Sequence, residues 1–483
     1  MALQTNSWLR PAFLLVGIIT VLRIVALGFS DFDVFVDEAQ YWFWGQNLDF
    51  GYYSKPPLSA WIIRAVTDLA GSDSAFWIRF PTPLFHAATA LILGALANRL
   101  YGRMAAIWVT VSYATLPIVA VGSTLMSTDT IMAPFFVAAF FYFLRAVDTD
   151  RLGDALLAGA MLGLAFMAKY AAVYFLIGAG LAAIFVPKMR LSLRNWAGLL
   201  VVFGAVIAPN VIWNLTHDLT TVQHTLDNVE WVREPSPSSG INLNHFAEFL
   251  ASQFMAVGPV ILVTMFLLIG KANDPKIRGL LLFALPILLL VSVQALLSRA
   301  YGNWAFAAYF AGVLVAVPWL YTYARAWLGI SLIFNLVLCV ALPVLSIIGD
   351  TLYLGREQPV MVRYTGRDET STRILEIAKE NGDLPIVAHN RDILADLFYT
   401  GKGQGLSVYS IAPRGRPEHY YQQNFALPGE FDSPVLFVTK GADLVCDGKK
   451  QRPLTRIPTD DTAYYLDWYR AYIVAPACLG ELN

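Results

Sequence analysis

Repeated apolar runs, each close to the length of a membrane-crossing helix, constrain this chain more than any other feature. A helix rises about 1.5 Å per residue, so roughly 20 apolar residues cover the hydrocarbon of a bilayer. About 11 such runs can be read, near residues 11 to 29, 81 to 98, 104 to 121, 129 to 144, 153 to 168, 171 to 186, 196 to 213, 253 to 270, 279 to 297, 302 to 319 and 327 to 348. Hydrophobic residues make up 57% of the chain and charged residues 14%, against roughly 25% charged in a soluble domain. This excludes a disordered or fibrous protein. The first run has no small-residue cleavage motif behind it, so it reads as a retained anchor.

Basic residues give the orientation. Arg10, Arg99, Arg103, Arg145, Arg151, Lys188, Arg190, Arg194, Lys271, Lys276, Arg278 and Arg325 fall in one set of short connections. Lys55, Arg64, Arg79, Lys169, Arg233 and Arg299 are spread over a longer second set. The positive-inside rule puts the first set, with the N-terminus, in the cytoplasm and everything after residue 348 outside. Two exterior loops, 30 to 80 and 214 to 251, are rich in Trp, Tyr, His and Pro. Within the first, the stretch from Asp33 to Leu48 and the LSAWIIRAVTDLA segment after Pro56-Pro57 are predicted as amphipathic helices lying on the outer leaflet.

From about residue 350, charged, Gly and Pro residues return. LPIVAH and PVLFVT read as strands beside helical patterns such as TSTRILEIAKENG. The predicted architecture is therefore a polytopic α-helical membrane module over 1–349, with about 11 to 13 spans, followed by a small exterior α/β domain over 350–483. Of three cysteines, Cys339 lies in an apolar run, leaving Cys446 and Cys478 as the pair expected to form a structural disulfide.

With a net charge of -1 the chain has no global field for polyanions, so nucleic acid is not an expected partner and any anionic substrate needs a local cationic cluster. Ionisable groups at membrane depth or at span ends are costly and mark candidate sites. The densest constellation is VDEAQYWFWGQNLDFGYYSKPPLSAW, which contains Asp37 and Glu38, with Tyr41 one turn after Asp37, and then Tyr53 and Lys55. A capped interfacial helix with snorkelling ends accounts for the same residues. Asp129 opens the fourth run, where a first-turn Asp is also a favourable helix-end residue. Lys169 interrupts apolar sequence with no carboxylate near it in sequence, which makes a phosphate its candidate partner. His217 and His224 are spaced two turns apart on one expected helical face; zinc would need further ligands that the sequence does not place, so a structural role ranks above a metal site, with hydrogen bonding to a sugar or phosphate as the intermediate reading. Arg299 and Asn303 stand at the mouth of the tenth run beside Trp304.

Asp37-Glu38, the KPPL at Lys55 to Leu58, the STD ending at Asp129 and the NW at Asn303-Trp304 together resemble the membrane glycosyltransferases of GT-C fold. They are most similar to family 39, which includes protein O-mannosyltransferases and the bacterial aminoarabinose and galacturonic acid transferases of lipid A and lipopolysaccharide. PIVAHNRDILADLFYTG in the tail resembles the exterior domain of the galacturonosyltransferase type. The resemblance implies a multi-pass bacterial inner-membrane enzyme. It implies Asp37 as catalytic acidic residue, Asp129 as the second, and Lys55 and Lys169 beside the lipid phosphate; Asp129 and Glu38 are the next candidates for the catalytic base. Ser54 stands where the aminoarabinose transferases carry an acidic residue, which argues against an aminoarabinose donor and against a metal site built there. No cofactor is required, and a divalent metal is left open.

The expected reaction moves a sugar from a polyprenyl-phosphate donor to a lipid or glycolipid acceptor with inversion. Asp37 serves as general base, and Lys55, Lys169 and Arg299 neutralise the leaving phosphate. Tyr41, Tyr53, His217, His224 and Asn303 are expected to line the substrate. The alternative is a transporter of polyprenyl-linked glycans. Against it, the ionisable residues collect on the exterior side, and no inverted repeat is visible.

Overall fold

The computed structural model describes residues 8–228, 241–355, 359–440, 443–457 and 468–480. Arg233 and the middle of the 214–251 loop lie outside these residues. Two compact units emerge, and neither is a continuous segment. The first comprises residues 1–28, 49–62 and 79–343, and the second 29–48, 63–78 and 344–483. The single boundary expected at 349 is thereby corrected: parts of the first exterior loop fold with the tail.

Every predicted apolar run in the first unit falls on helix, in stretches from Leu9–Gly28 to Arg325–Ile348. Among the described residues, six helices are long and apolar enough to cross a membrane, or up to seven if one bent pair counts as a span, which makes the protein a polytopic helical membrane protein. Leu152–Ala168, Tyr170–Phe185 and Ala308–Tyr323 are shorter apolar segments.

Two runs predicted to be continuous are broken, for local backbone reasons. In the 104–121 run, Leu116 adopts ψ 137° ahead of Pro117, ending one helix at Thr115 and starting another at Pro117. In the 253–270 run, Gly258 takes φ +82° before Pro259, and Leu243–Val257 meets the next helical segment at 106°. A Cβ at Gly258 would also crowd the Asn335 side chain.

Close helix packing follows small residues. Gly159 and Gly163, one turn apart on Leu152–Ala168, approach Leu199 and Val206 of Leu193–Thr216 so tightly that a Cβ at either would overlap them. Arg23 is buried in the first helix. It donates to the Ala114 carbonyl at 2.8 Å and to Cys339 Sγ at 3.3 Å. Ala114 lies in the last turn before the Pro117 break, where carbonyls lack intrahelical donors, so the guanidinium meets the negative end of a helix.

The second unit contains a five-stranded sheet of order β2-β1-β3-β7-β6, built from β1 (Ile386–Ala388), β2 (Val408–Ser410), β3 (Val435–Lys440), β6 (Thr455–Ile457) and β7 (Tyr469–Val474). β1 pairs parallel with β2 and β3, whereas β7 pairs antiparallel with β3 and β6. The two sequence segments predicted as strands are β1 and β3. Their apolar runs without alternation suit strands covered on both faces. β4 (Val445–Cys446) and β5 (Lys449–Lys450) form a separate hairpin. Cys446 and Cys478 are disulfide-bonded, as expected, at the edge of a core formed by Val387, Val435, Phe437, Tyr472 and their neighbours. Cys339 is a buried free thiol.

The DEAQYW segment forms helix Val36–Gly45. It was expected to offer its aromatics to lipid, yet Tyr41, Trp42 and Trp44 are only 4%, 2% and 1% exposed. Protein covers them instead. Trp42 meets Tyr399 edge-on at 5.0 Å, and Phe43 lies 4.7 Å from Phe398, both on helix Arg391–Thr400. Backbone bonds from Asp31 N–H to Ser346 and from Asp33 N–H to Tyr364 stitch the preceding segment to the tail.

Candidate active site

In the first unit, the site is built around the start of helix Thr128–Thr149. Ser127 caps it, its Oγ accepting from Thr130 N–H at 3.2 Å, and this sets Asp129 in the first turn. Buried His86 braces the same turn, reaching Tyr113 Oη at 3.1 Å and Thr130 Oγ1 at 3.2 Å. Lys169 is the residue on which helix Leu152–Ala168 ends. Its extended backbone, φ -156° and ψ 130°, turns the side chain out of the helical register.

Lys169 Nζ lies 2.7 Å from both carboxylate oxygens of Asp129, and Asn303 Nδ2 donates to Asp129 Oδ2 at 2.8 Å. The lysine and aspartate side chains are 15% and 10% exposed. This revises the expectation for Lys169. The anion it needs is supplied by Asp129, forty positions upstream and invisible to local sequence. The ammonium carries three N–H donors and Asp129 takes at most two, so at least one direction remains for another acceptor.

A polar network ties Lys55 to the same region. The loop that carries it is pinned to helix Leu193–Thr216: Asn210 Nδ2 donates to Phe50 O at 2.7 Å, and Trp213 Nε1 donates to Asp49 Oδ2 at 2.7 Å. Tyr170, next to Lys169, donates to Asn210 Oδ1 at 2.9 Å and accepts from Asn214 at 3.1 Å. A Cβ on Gly51 would enter the Trp213 indole, so this approach requires glycine. Lys55 is half-buried, and its carbonyl accepts from Tyr52 N–H at 3.2 Å. Tyr53 packs on His224 with ring centroids 4.9 Å apart, and Thr221 Oγ1 donates to Tyr52 O at 2.6 Å.

The two histidines do not share a helical face. Helix Leu193–Thr216 ends before His217, and Asp218 and Leu219 take positive φ values of 54° and 53° before the next helix starts at Thr220. His217 instead stacks on Trp213 at 4.2 Å, with Nδ1 bonded to Trp213 O at 2.8 Å. Arg299 is exposed, its guanidinium 5.2 Å from the centre of the Tyr301 ring.

In the second unit, Glu38 is 1% exposed and its carboxylate accepts from Phe35 N–H at 2.9 Å, capping its own helix. Asp37 projects from the same turn and is ion-paired with Arg391, whose Nε also donates to Gln40 Oε1 at 2.8 Å. Tyr41, one turn further on, is buried with its ring 5.4 Å from Trp44. Sequence reading passed over Arg391, although the residue follows a strand and opens a helix inside the PIVAHNRDILADLFYTG segment. Among the described residues, no three or more His, Cys, Asp or Glu side chains converge as metal ligands.

The family described as dolichyl-phosphate-mannose-protein mannosyltransferase matches residues 54–213. The lipid A galacturonosyltransferase RgtD of Rhizobium johnstonii is 40% identical over 475 residues, covering 98% of this chain and 99% of the relative. The lipopolysaccharide core galacturonosyltransferase RgtB of the same organism is 28% identical over 43% of this chain and 42% of its own length. Among solved structures, ArnT from Cupriavidus metallidurans aligns with a TM-score of 0.60 at 12% identity, over 96% of this chain and 98% of that one. Its undecaprenyl phosphate complex aligns equally well, with a TM-score of 0.60 at 13% identity, over 95% and 97% of the two chains. At such identities the structural likeness speaks for the fold, which is GT-C. The chain belongs to the PMT/ArnT-like family of GT-C glycosyltransferases, and it is a membrane glycosyltransferase.

Proposed function

We propose that this enzyme transfers galacturonic acid from a polyprenyl-phosphate donor to lipid A or a related envelope glycolipid. The observation that carries this reading is the full-length 40% identity to a protein named for lipid A galacturonosyl transfer. In the proposed reaction Asp37 takes the proton of the acceptor hydroxyl, whose oxygen attacks the anomeric carbon. The bond from that carbon to the donor phosphate oxygen breaks, the centre inverts, and polyprenyl phosphate departs. Lys55 and Lys169, with Arg299 at the periphery, meet the charge that grows on that phosphate. Asp129 and Asn303 orient Lys169, with Asp129 accepting from both side chains as the second acidic residue of the site. Tyr53 and His224 supply an apolar and polar wall for the sugar.

In this reading all eleven apolar runs span the inner membrane, the basic connections face the cytoplasm with the N-terminus, and the sheet-bearing unit is periplasmic. A helix of 17 residues such as Leu152–Ala168 reaches about 25 Å, near the hydrocarbon thickness. The test is mass spectrometry of envelope glycolipids from cells with the protein, without it, and with Asp37→Asn. A uronic acid added to lipid A only by the unaltered protein supports the proposal. A lipid profile that does not respond to the protein overturns it.

A further inference from the structure

We propose that Arg391 is a positioning residue for Asp37, setting the aim of its carboxylate from a neighbouring helix of the same unit. The inference rests on the reading of Asp37 as the general base. Arg391 is the first residue of helix Arg391–Thr400, and Asn390 precedes it in extended conformation. Its guanidinium meets helix Val36–Gly45 along one edge. One nitrogen of that edge, Nη2, pairs with Asp37 Oδ1, and the neighbouring Nε donates to Gln40 Oε1 at 2.8 Å. Asp37 and Gln40 are three residues apart and so share a helical face. A planar fork held at two points fixes both the rotamer of the arginine and the aim of the carboxylate, which a lysine ammonium does not do. Gln40 is 2% exposed, so its amide is itself locked.

The pair is poorly placed to serve stability. Side-chain exposures of 39% for Arg391 and 48% for Asp37 leave both groups in contact with solvent, where ion pairs contribute little to folding. The docking of the two helices is secured independently by Trp42 on Tyr399 and by Phe43 on Phe398. A partly open carboxylate in a fixed orientation beside a cation is what proton abstraction from an incoming hydroxyl needs: the base is aimed, and an opposite charge keeps it deprotonated to lower pH. Among the described residues, other titratable groups facing this pair are Tyr41 from the same helix as Asp37, and Tyr421 and His419 from the segment beside the helix of Arg391.

The test uses purified full-length protein, synthetic undecaprenyl-phosphate galacturonate and lipid A, with kcat and KM followed from pH 4 to 8. Arg391→Ala is expected to fold normally and to bind donor with KM within about twofold. Its kcat falls at least about tenfold at low pH, with the acid limb of the profile moved up by about one unit, the lower end of what an adjacent cation does to an aspartate. Arg391→Lys is expected to recover part of the rate, and added guanidinium ion to rescue Arg391→Ala but not Asp37→Asn. An inactive Asp37→Asn together with an unmoved acid limb and no guanidinium rescue in Arg391→Ala overturns the positioning role alone. Near-normal turnover by Asp37→Asn overturns both the base and its positioning.

Discussion

Replacing Lys169 by Met removes the ammonium while keeping the aliphatic stem, and leaves Asp129 with Asn303 as its remaining side-chain donor. Asp129 is 7% exposed, so its carboxylate cannot recover hydration in exchange. Breaking one side of a buried pair costs about 3 to 5 kcal/mol. The Asn303 hydrogen bond and the N-terminal position of Asp129 retain part of that, which places the expected loss near about 3 kcal/mol. Asp129→Asn alone should cost a similar amount, since it strands the lysine. The double variant Asp129→Asn/Lys169→Met strands neither charge, so its loss should fall below the sum of the single losses by about 2 kcal/mol or more. Titrating the purified protein with SDS in mixed micelles measures all three. If the double variant loses the full sum, the two side chains are not coupled, and Lys169 is reserved for another anion. Activity separates the two roles of the lysine: the double variant should be more stable than the summed single losses imply, whereas its transfer should be no better than that of Lys169→Met, because the donor phosphate has lost its cation.

Three further outcomes are expected. Reducing the Cys446–Cys478 disulfide, which closes a loop of 32 positions, should destabilise the second unit by about 3 to 4 kcal/mol while leaving transfer largely intact at low temperature; two alkylatable thiols at these positions in the native protein would exclude the bond. Burial lowers the His419 pKa to about 4, and the neutral ring accepts from Gln422 N–H at 3.2 Å, so the folded state resists a proton that the unfolded chain takes up near 6.5. His419 therefore costs stability as pH falls from about 6.5 to 4. Asp396, raised to about 7 by burial, acts in the opposite sense over much of that range, so the signature is the difference between the unaltered protein and His419→Asn in melts across pH, with no difference contradicting the assignment. Gly51→Ala should push the Lys55 loop off Trp213 and raise KM for the donor several-fold with little change in kcat, as read from initial rates; unchanged kinetics would release the loop from that role.

The helices of the first unit were legible because hydrophobic length is a local property of the chain, and each apolar run fell on helix. Their breaks were less so. Pro117 and the Gly258-Pro259 pair sit inside runs whose hydropathy does not change, and the bend depends on backbone angles that hydropathy does not encode. The strands at 386–388 and 435–440 and the disulfide were readable from composition, compartment and a process of pairing few cysteines. The site was half legible. Asp37, Lys55, Asp129, Lys169 and Asn303 were singled out as residue types in costly places, and three of them, Asp129, Lys169 and Asn303, meet. What could not be read was who partners whom. Lys169 with Asp129, and Arg391 with Asp37 across 354 positions, are contacts set by tertiary packing. Arg23 escaped notice for a related reason: one arginine in a hydrophobic run looks like a snorkelling end until Ala114 and Cys339 are brought beside it. The aromatics of the DEAQYW helix misled because Trp and Tyr suit a lipid interface and a protein interface equally, and here the Arg391–Thr400 helix covers them.

The most direct test of the account is a transfer reaction with purified protein in detergent or liposomes, containing undecaprenyl-phosphate-linked galacturonate labelled in the sugar, lipid A, and neither ATP nor an ion gradient. The account predicts label on lipid A, release of undecaprenyl phosphate in equal amount, and loss of at least about a hundredfold in rate for Asp37→Asn. Label that crosses the liposome membrane still attached to its lipid carrier, with none on lipid A, would contradict glycosyl transfer and favour transport.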